Sequence, residues 1–257
     1  MTNKKDSIRI LLSNDDGIHA PGLKILEQIA KTLSDDVWVV APSTEQSGAS
    51  HSLTLNRPLR AHKISEKRFS VDGTPTDCVL MAVEELVDGK KPDLLLSGVN
   101  HGLNVGDDVS YSGTVAAAME GMSFGIPSIA LSQDVTWGHP PKWQTPLDHA
   151  PSIITKLIKE GWPKDVLINL NFPNVISKSV VGVEVVRQGF RPPYKSIVKA
   201  VDPRGGNYYW LGTIPEQLDL NDATDLTAMV QRKISITPLH LDLTHIQTLN
   251  RLVKAFS

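Results

Sequence analysis

Short apolar runs alternate with amphipathic stretches through the first half of the chain. Four apolar runs predict buried strands, at residues 8–12, 37–40, 93–97 and 127–132. Three intervening stretches predict helices, at residues 21–33, 74–87 and 112–122. In the first helix, Leu23, Leu26 and Ile29 fall on one face. Strands that alternate with helices in this way indicate a parallel, doubly wound sheet with helices on both faces.

The second half of the chain is less regular. A helix is predicted at 146–160 and a strand at 166–170. Further strands are predicted in a side ribbon at 52–71 and in an extension at 180–186, 207–211 and 234–237. We expect one domain over 1–257, with about 180–257 as a protruding hairpin and extension used in oligomerisation. The predicted fold is a three-layer α/β/α protein with a doubly wound, mostly parallel, Rossmann-like sheet and a C-terminal β-rich extension.

Composition and missing signatures exclude several classes of protein. The net charge of −2 argues against a nucleic-acid partner, which normally requires a basic face. The single cysteine, Cys78, excludes an intrachain disulfide and a cysteine-based zinc cluster. The dinucleotide, P-loop, α/β-hydrolase and zincin signatures are absent. No signal peptide or membrane-spanning run is visible, so we expect a cytoplasmic protein without a membrane partner.

Polar, glycine-rich loops follow the first three predicted strands. They read SNDDG, APSTEQSGASHS and SGVNHGLNVGDD, and they supply Asp15, Asp16, Ser47 and Asn100. An isolated Asp pair is more often a solvated turn than a metal site. However, ligands of open α/β sheets bind at the carboxyl ends of the strands, where these three loops converge. A set of oxygen ligands suits Mg²⁺, Mn²⁺ or Ca²⁺ rather than zinc.

A second candidate site lies where the loop at 111–112 turns into the predicted alanine-rich helix. The unpaired N–H groups of a helix start, together with the hydroxyls of Ser112 and Thr114, can bind an anion. Ordinary N-capping explains the same residues equally well. Histidines 19, 51 and 101 also fall in candidate loops, and one of them could be a general acid, although surface histidines are commoner.

Taken together, these segments resemble the SurE (survival protein) nucleotidases, which are metal-dependent phosphatases of nucleoside monophosphates. The matching segments run in order through most of the chain: ILLSNDDGIHAPGL, APSTEQSGASHSLTL, GTPTDCV, LLLSGVNHGLNVGDDVSYSGTVAAAMEG, DPRGGNYYWLG and SITPLHLDLT. One departure is Arg232-Lys233 before ISITPL, where family sequences usually carry Gly-Tyr. That exchange falls in the turn that precedes the predicted strand at 234–237.

The resemblance implies a set of site residues. It implies one divalent cation per subunit, Mg²⁺ or Mn²⁺ with Ca²⁺ as a substitute in crystals. Its ligands would be Asp15, Asp16, Ser47 and Asn100, with Asp15 and Asp16 also catalytic. Phosphate contacts are implied for Gly48, Asn104, Ser112, Gly113 and Thr114. It also implies a homodimer or homotetramer, formed through the C-terminal extension and a projecting hairpin that includes Tyr208, Tyr209 and Trp210.

The expected function is therefore hydrolysis of nucleoside 5′-monophosphates to nucleoside and phosphate. The expected nucleophile is water activated by the cation, and an aspartyl-phosphate at Asp15 or Asp16 is the alternative. A protein that binds a nucleotide for regulation, without hydrolysing it, is the alternative function. Such a binder needs phosphate contacts but has no need of a cation with an open coordination position.

Overall fold

The computed structural model describes residues 8–190, 197–211 and 222–257. Its strands are β1 (Arg9–Ser13), β2 (Asp36–Pro42), β3 (Ala61–Ser65), β4 (Arg68–Val71), β5 (Leu94–His101), β6 (Ser128–Gln133), β7 (Leu167–Phe172), β8 (Gly182–Val185), β9 (Ile197–Val201), β10 (Asn207–Leu211) and β11 (Lys233–Leu239). Its α-helices are α1 (Pro21–Leu33), α2 (Pro75–Met81), α3 (Gly113–Ser123), α4 (Gln144–Glu160), α5 (Asp225–Val230) and α6 (Ile246–Phe256).

A nine-stranded sheet crosses the described part of the chain in the order β3-β4-β2-β1-β5-β6-β7-β11-β8. The six strands from β4 to β7 are mutually parallel, whereas β3 and β11 run antiparallel to their inner neighbours. The chain leaves β1 toward β2 on one side, and β5 pairs with β1 on the other. This reversal makes the carboxyl ends of β1 and β5 the switch point at which such sheets bind ligands.

Two apolar layers separate the sheet from its helices. Ile10 and Leu12 of β1 join the cluster that contains residues of α1 and α4, while Leu11 joins the opposite cluster with residues of α2 and α3. Successive strand residues point to opposite faces, so an unbroken apolar strand is buried on both sides. The predicted three-layer α/β/α arrangement is therefore confirmed, and Cys78 is fully buried in the second cluster.

The start of α2 is set by a capping box. The hydroxyl of Thr74 accepts a hydrogen bond from the backbone N–H of Asp77 at 3.1 Å, and the Asp77 carboxylate accepts one from the Thr74 N–H at 2.8 Å. The α-helix passes into a π-helical turn at Ala82–Leu86, so the helix predicted to about residue 87 is present with a changed winding. Asp77 also accepts hydrogen bonds from the N–H and the hydroxyl of Thr54.

The structure corrects the predicted side ribbon. Residues 52–55 form no strand, and the N–H of Thr54, a donor that a strand pairing would use, bonds to Asp77 instead. The strands β3 and β4 extend the main sheet, in which β4 pairs in parallel with β2. In the second half, β8 and β11 also belong to the main sheet, because β11 pairs with β7. Residues 191–196, which read RPPYKS, lie outside the described residues.

Two elements of the C-terminal part expose apolar side chains. The antiparallel hairpin β9–β10 forms a separate two-stranded sheet, and every residue of β10 is exposed. The last helix, α6, buries none of its residues, although several of them are apolar: Ile246, Leu249, Leu252, Val253 and Phe256. In the described part of the chain, none of the helices has the length and apolar character needed to cross a bilayer.

The turn before β11 adopts a backbone conformation that favours glycine. Arg232 has φ +59°, and its N–H donates to the carbonyl of Met229. Its own carbonyl accepts a hydrogen bond from Val181, which precedes β8. The turn is therefore formed although Arg232 stands where glycine was expected. Arg232 adopts the left-handed backbone conformation, which is unfavourable for a residue with a Cβ atom.

Candidate metal and phosphate site

The loops after β1, β2 and β5 meet at one pocket of about 850 Å³. Six of the nine predicted site residues line it: Asp15, Ser47, Gly48, Asn100, Asn104 and Ser112. The strand register brings the loops after β1 and β5 together, because Ser13 at the end of β1 lies beside Ser97 of β5. Asn100 lies within the longer strand β5, past an irregularity between Ser97 and Asn100, rather than in the loop where the sequence suggested it.

Asp15 is the buried carboxylate of the site, with 4% of its surface exposed. One carboxylate oxygen accepts a hydrogen bond from the hydroxyl of Thr114, the second residue of α3, at 2.5 Å. Burial raises the pKa of Asp15 to about 6; the hydrogen bond from Thr114 opposes this rise, and the charge of Asp16 adds to it. Burial therefore destabilises the ionised form of Asp15, and a nearby positive charge would stabilise it.

Close packing of the α3 start against Asp15 requires a glycine. A Cβ atom placed on Gly113 would lie 2.6 Å from the Cβ of Asp15 and 3.1 Å from Cγ of Pro75. Thr114 is fully buried, and its hydroxyl is bonded to Asp15. Gly113 and Thr114 are therefore placed against the carboxylate, and neither of them lines the pocket.

Asp16 lies beside the pocket rather than among its lining residues. Its carboxylate accepts a hydrogen bond from the backbone N–H of His101 at 3.3 Å. Burial raises the pKa of Asp16, and the nearby charge of Glu45 adds to the rise, while the hydrogen bond from His101 opposes it. The contact ties the loop after β1 to the end of β5.

Ser47 and Asn100 present neutral oxygens to the same pocket. The hydroxyl of Ser47 donates to the carboxylate of Glu45 at 2.9 Å, which leaves lone pairs that can accept a cation. The amide nitrogen of Asn100 donates to the carbonyl of Gly102 at 3.0 Å. The amide oxygen, which is the atom that a cation would bind, takes no part in that bond.

The donor set fits a hard divalent cation. Two carboxylates with raised pKa values lie together, and no lysine or arginine is among the described residues that line the pocket. Carboxylate, hydroxyl and amide oxygens are the ligands of Mg²⁺ and Mn²⁺. Across the described ranges there is no group of three or more His, Cys, Asp or Glu side chains suited to a metal.

The side of the pocket predicted to bind phosphate is formed by Gly48, Ser112 and Asn104. Ser112 is the N-cap of α3, and its hydroxyl oxygen accepts a hydrogen bond from Val115 N–H at 3.0 Å. Its own proton can still be donated to a ligand, so capping and anion binding are compatible. The amide nitrogen of Asn104 donates to the hydroxyl of Ser132 at 2.9 Å.

Two buried asparagines of β7 hold the backbone at Asn104. Asn171 accepts from the Asn104 N–H at 3.0 Å and donates to its carbonyl at 3.1 Å, and Asn169 donates to the same carbonyl at 2.7 Å. Neither asparagine was singled out from the sequence. The available signal was the pair of polar residues inside an otherwise apolar strand, LINLNF.

Several other pocket residues were also missed. Asp134 follows β6 and lines the pocket, so the strand-end rule that found Asp15 would have found it too. Asp108, Tyr111, Val135 and Leu211 line the pocket as well. Among the histidines, His101 lines the pocket, His51 contacts Glu120 at 2.9 Å, and His19 is exposed.

The fold and the site define a class: a doubly wound α/β protein with an acidic, oxygen-lined pocket at its switch point. The family model described as "Survival protein SurE" matches residues 10–194. The chain therefore belongs to the SurE family.

Close relatives support the same assignment over nearly the full length. The 5′-nucleotidase SurE of Paramagnetospirillum magneticum is 56% identical over 250 residues, which cover 97% of this chain and 96% of that protein. The 5′-nucleotidase SurE of Caulobacter sp. strain K31 is 55% identical, covering 94% and 91%. The crystal structure of the SurE protein from Aquifex aeolicus matches with a TM-score of 0.83 and 39% identity, covering 97% of this chain and 100% of that one.

Proposed function

We propose that this chain is a metal-dependent 5′-nucleotidase that hydrolyses nucleoside 5′-monophosphates to nucleoside and phosphate. The observation that carries the proposal is the meeting of Asp15, Ser47 and Asn100 with the start of α3 in one pocket. Relatives with more than 50% identity over almost the whole chain carry the name 5′-nucleotidase SurE.

In this proposal, Asp15, Asp16, Ser47 and Asn100 hold one divalent cation, Mg²⁺ or Mn²⁺. When bound, the cation would supply Lewis-acid chemistry at a phosphoryl oxygen. The Thr114 hydroxyl orients the Asp15 carboxylate through its 2.5 Å hydrogen bond. The carbonyl of Gly102 orients the Asn100 amide in the same way.

In the proposal, uncharged hydrogen-bond donors hold the phosphate, without a lysine or an arginine among the described lining residues. Ser112 donates its hydroxyl proton, and the start of α3, which Ser112 caps at the pocket, favours negative charge. Gly48, with φ +76°, brings a backbone N–H to the pocket. Preorganised donors of this kind stabilise the charge that develops on the equatorial oxygens during phosphoryl transfer.

The charge of the pocket supports a role for the cation. Three carboxylates line the pocket, from Asp15, Asp108 and Asp134, and Asp16 lies beside it. A phosphate dianion would be repelled by these groups in the absence of a counter-charge. One divalent cation would offset the charges of Asp15 and Asp16, so Asp108 and Asp134 would be the carboxylates that remain near the substrate.

A phosphate-release assay tests the proposed function. Protein stripped with EDTA is assayed on nucleoside 5′-monophosphates before and after addition of Mn²⁺ or Mg²⁺. We expect activity only with metal, and loss of most of it in Asp15→Asn and Asp16→Asn, while Asp35→Asn, an exposed residue after α1, keeps full activity. Nucleotide binding without phosphate release would favour the regulatory alternative, and full activity in metal-free buffer would contradict the metal assignment.

We also propose that the β9–β10 hairpin and the C-terminal segment mediate a homodimer or homotetramer. The exposed apolar side chains of β10 and α6 support this proposal, because large exposed apolar surfaces mark interaction sites. We propose the 1–257 chain as one domain; within the segment of about 180–257, β8 and β11 belong to the main sheet, and the β9–β10 hairpin is the appendage. The cytoplasm stays the predicted compartment.

A further inference from the structure

The pocket has an apolar part that neither metal nor phosphate can use. Leu103, Tyr111, Val135 and Leu211 line it together with the oxygen-bearing residues. Leu103, Val135 and Leu211 offer no ligand to a cation and no donor to an anion, and Tyr111 adds an aromatic ring beside its hydroxyl. These apolar groups are available to a part of the substrate that extends beyond the phosphate.

Tyr111 is the aromatic residue closest in sequence to the phosphate side. It directly precedes Ser112, and consecutive Cα atoms lie 3.8 Å apart. Its backbone is held on both sides, because its N–H donates to Asp108 at 3.0 Å and its carbonyl accepts from Ser50 at 3.2 Å. The residue nevertheless remains 63% exposed at the pocket. A fixed backbone with an exposed ring is suited to stacking on a flat ligand.

Leu211 reaches the pocket from a different part of the chain. It ends β10 of the projecting hairpin, pairs in register with Ile197 of β9, and is 77% exposed. Ile197 is similarly exposed, at 67%, but is not among the residues that line the pocket. The hairpin therefore contributes one side chain to the site, and its cross-strand neighbour provides a matched control.

We propose that the Tyr111 ring and the Leu211 side chain form the subsite that holds the nucleobase of the substrate. This inference rests on the proposed nucleotidase function. The pocket volume of about 850 Å³ falls in the range of sites for small organic ligands. Stacking on an aromatic face tolerates any base, since every base has a π-face. The subsite therefore selects nucleotides over smaller phosphate esters and discriminates weakly among bases.

The test compares AMP with ribose 5-phosphate, which has the same kind of phosphate ester and sugar but lacks the base. With Mn²⁺ present, Tyr111→Ala should raise KM for AMP roughly tenfold and change KM for ribose 5-phosphate by less than about threefold. Tyr111→Phe should restore the AMP value, because it keeps the ring. Leu211→Ala should raise KM for AMP about threefold, while Ile197→Ala leaves both substrates unchanged. Equal changes for both substrates, or no change for AMP, would overturn the subsite.

A binding measurement separates this inference from the proposed function. Adenosine, which lacks the phosphate, is titrated calorimetrically into wild type, Tyr111→Ala and Tyr111→Phe. We expect binding to wild type and to Tyr111→Phe, and a loss of roughly tenfold in affinity with Tyr111→Ala. Equal affinity in all three proteins, or no binding to wild type, contradicts the subsite. Failure of wild type to hydrolyse any phosphate ester contradicts the function alone, and the adenosine titration then still decides the subsite.

Discussion

At the scale of single residues, burial of Asp15, a proposed ligand of the cation, carries a cost in stability. Its carboxylate is almost fully buried, and burial raises its pKa to about 6. A group that is harder to ionise in the folded protein destabilises that fold wherever the group is ionised. The cation proposed for this site would remove this penalty. We therefore expect the free energy of unfolding of the metal-free protein to fall as Asp15 ionises.

The prediction concerns the pH dependence of stability in EDTA. The pKa of Asp15 is about 6 when folded, against an ordinary value of 3.8. Between these values the folded state keeps a proton that the unfolded state has lost, so rising pH lowers the free energy of unfolding, by up to about 3 kcal/mol. Asp15→Asn should remove this loss and be more stable than wild type at pH 7.5, and similar to it near pH 4.

Urea unfolding in EDTA at pH 4, 5, 6 and 7.5 measures the difference between the two proteins. Asp35→Asn is the control, because Asp35 is an exposed aspartate whose replacement should leave the wild-type profile unchanged. Addition of Mn²⁺ should stabilise wild type and have little effect on Asp15→Asn. Parallel pH profiles for wild type and Asp15→Asn would show that burial of this carboxylate carries no such cost.

At the scale of elements, the start of α3 is both a capped helix end and a part of the pocket wall. Ser112 caps the helix through Val115 and also lines the pocket. Replacing it with alanine should lower kcat/KM by roughly tenfold or more, because a hydrogen bond to a charged group contributes about 1.5–3 kcal/mol. The same change should lower stability by about 1 kcal/mol through the lost cap.

A second N-cap separates these effects. Thr74 caps α2 but does not line the pocket, so Thr74→Ala should lower stability and leave kcat/KM within about twofold of wild type. Steady-state kinetics and thermal unfolding on the same preparations provide both readouts. Unchanged kinetics in Ser112→Ala would mean that the hydroxyl is only a cap.

The turn at Arg232 gives a prediction about a second element. Its φ of +59° costs a non-glycine residue about 1–2 kcal/mol, and glycine adopts this conformation without that cost. Glycine loses about 0.5–1 kcal/mol through the extra freedom of the unfolded chain. We therefore expect Arg232→Gly to stabilise the protein by a few tenths to about 1 kcal/mol in urea unfolding. Lys233→Gly, within β11, should destabilise it; a loss of stability in Arg232→Gly would contradict the account of this turn.

Many of the residues that line the pocket were predictable, because each one follows or ends a strand that a short stretch of sequence identifies. The rule that ligands bind where parallel strands end led to Asp15, Ser47 and Asn100 from short motifs alone. Leu211 and the Asn171 contact were not predictable, since they depend on how distant segments return to the pocket. The sheet positions of β8 and β11 were missed for the same reason: an apolar strand does not reveal its partner.

At the scale of the whole molecule, the exposed apolar surface is concentrated in the C-terminal part. Tyr209 and Trp210 are 61% and 67% exposed, and they point to opposite faces of the hairpin as neighbouring strand residues. An isolated two-stranded hairpin is marginally stable in water. Contacts with a second copy of the chain would bury these rings and stabilise the hairpin.

Light scattering should therefore show a dimer or a larger species. Replacing Tyr209 and Trp210 with serine should shift the protein to a smaller species, because aromatic anchors often dominate the energy of an interface. Trp137→Ser is the control, since Trp137 is 96% exposed in a loop outside the hairpin and should not affect association. A monomeric wild type would contradict the proposed assembly.

The central claim is that one divalent cation lies among Asp15, Asp16, Ser47 and Asn100. Anomalous scattering from crystals of metal-stripped protein soaked in Mn²⁺ tests it most directly. We predict one strong anomalous peak per chain, with oxygens of these four side chains at about 2.0–2.6 Å, and no such peak in Asp15→Asn crystals soaked in the same way. A peak held by other residues, such as Asp108 and Asp134, or the absence of any peak in this pocket would contradict the claim.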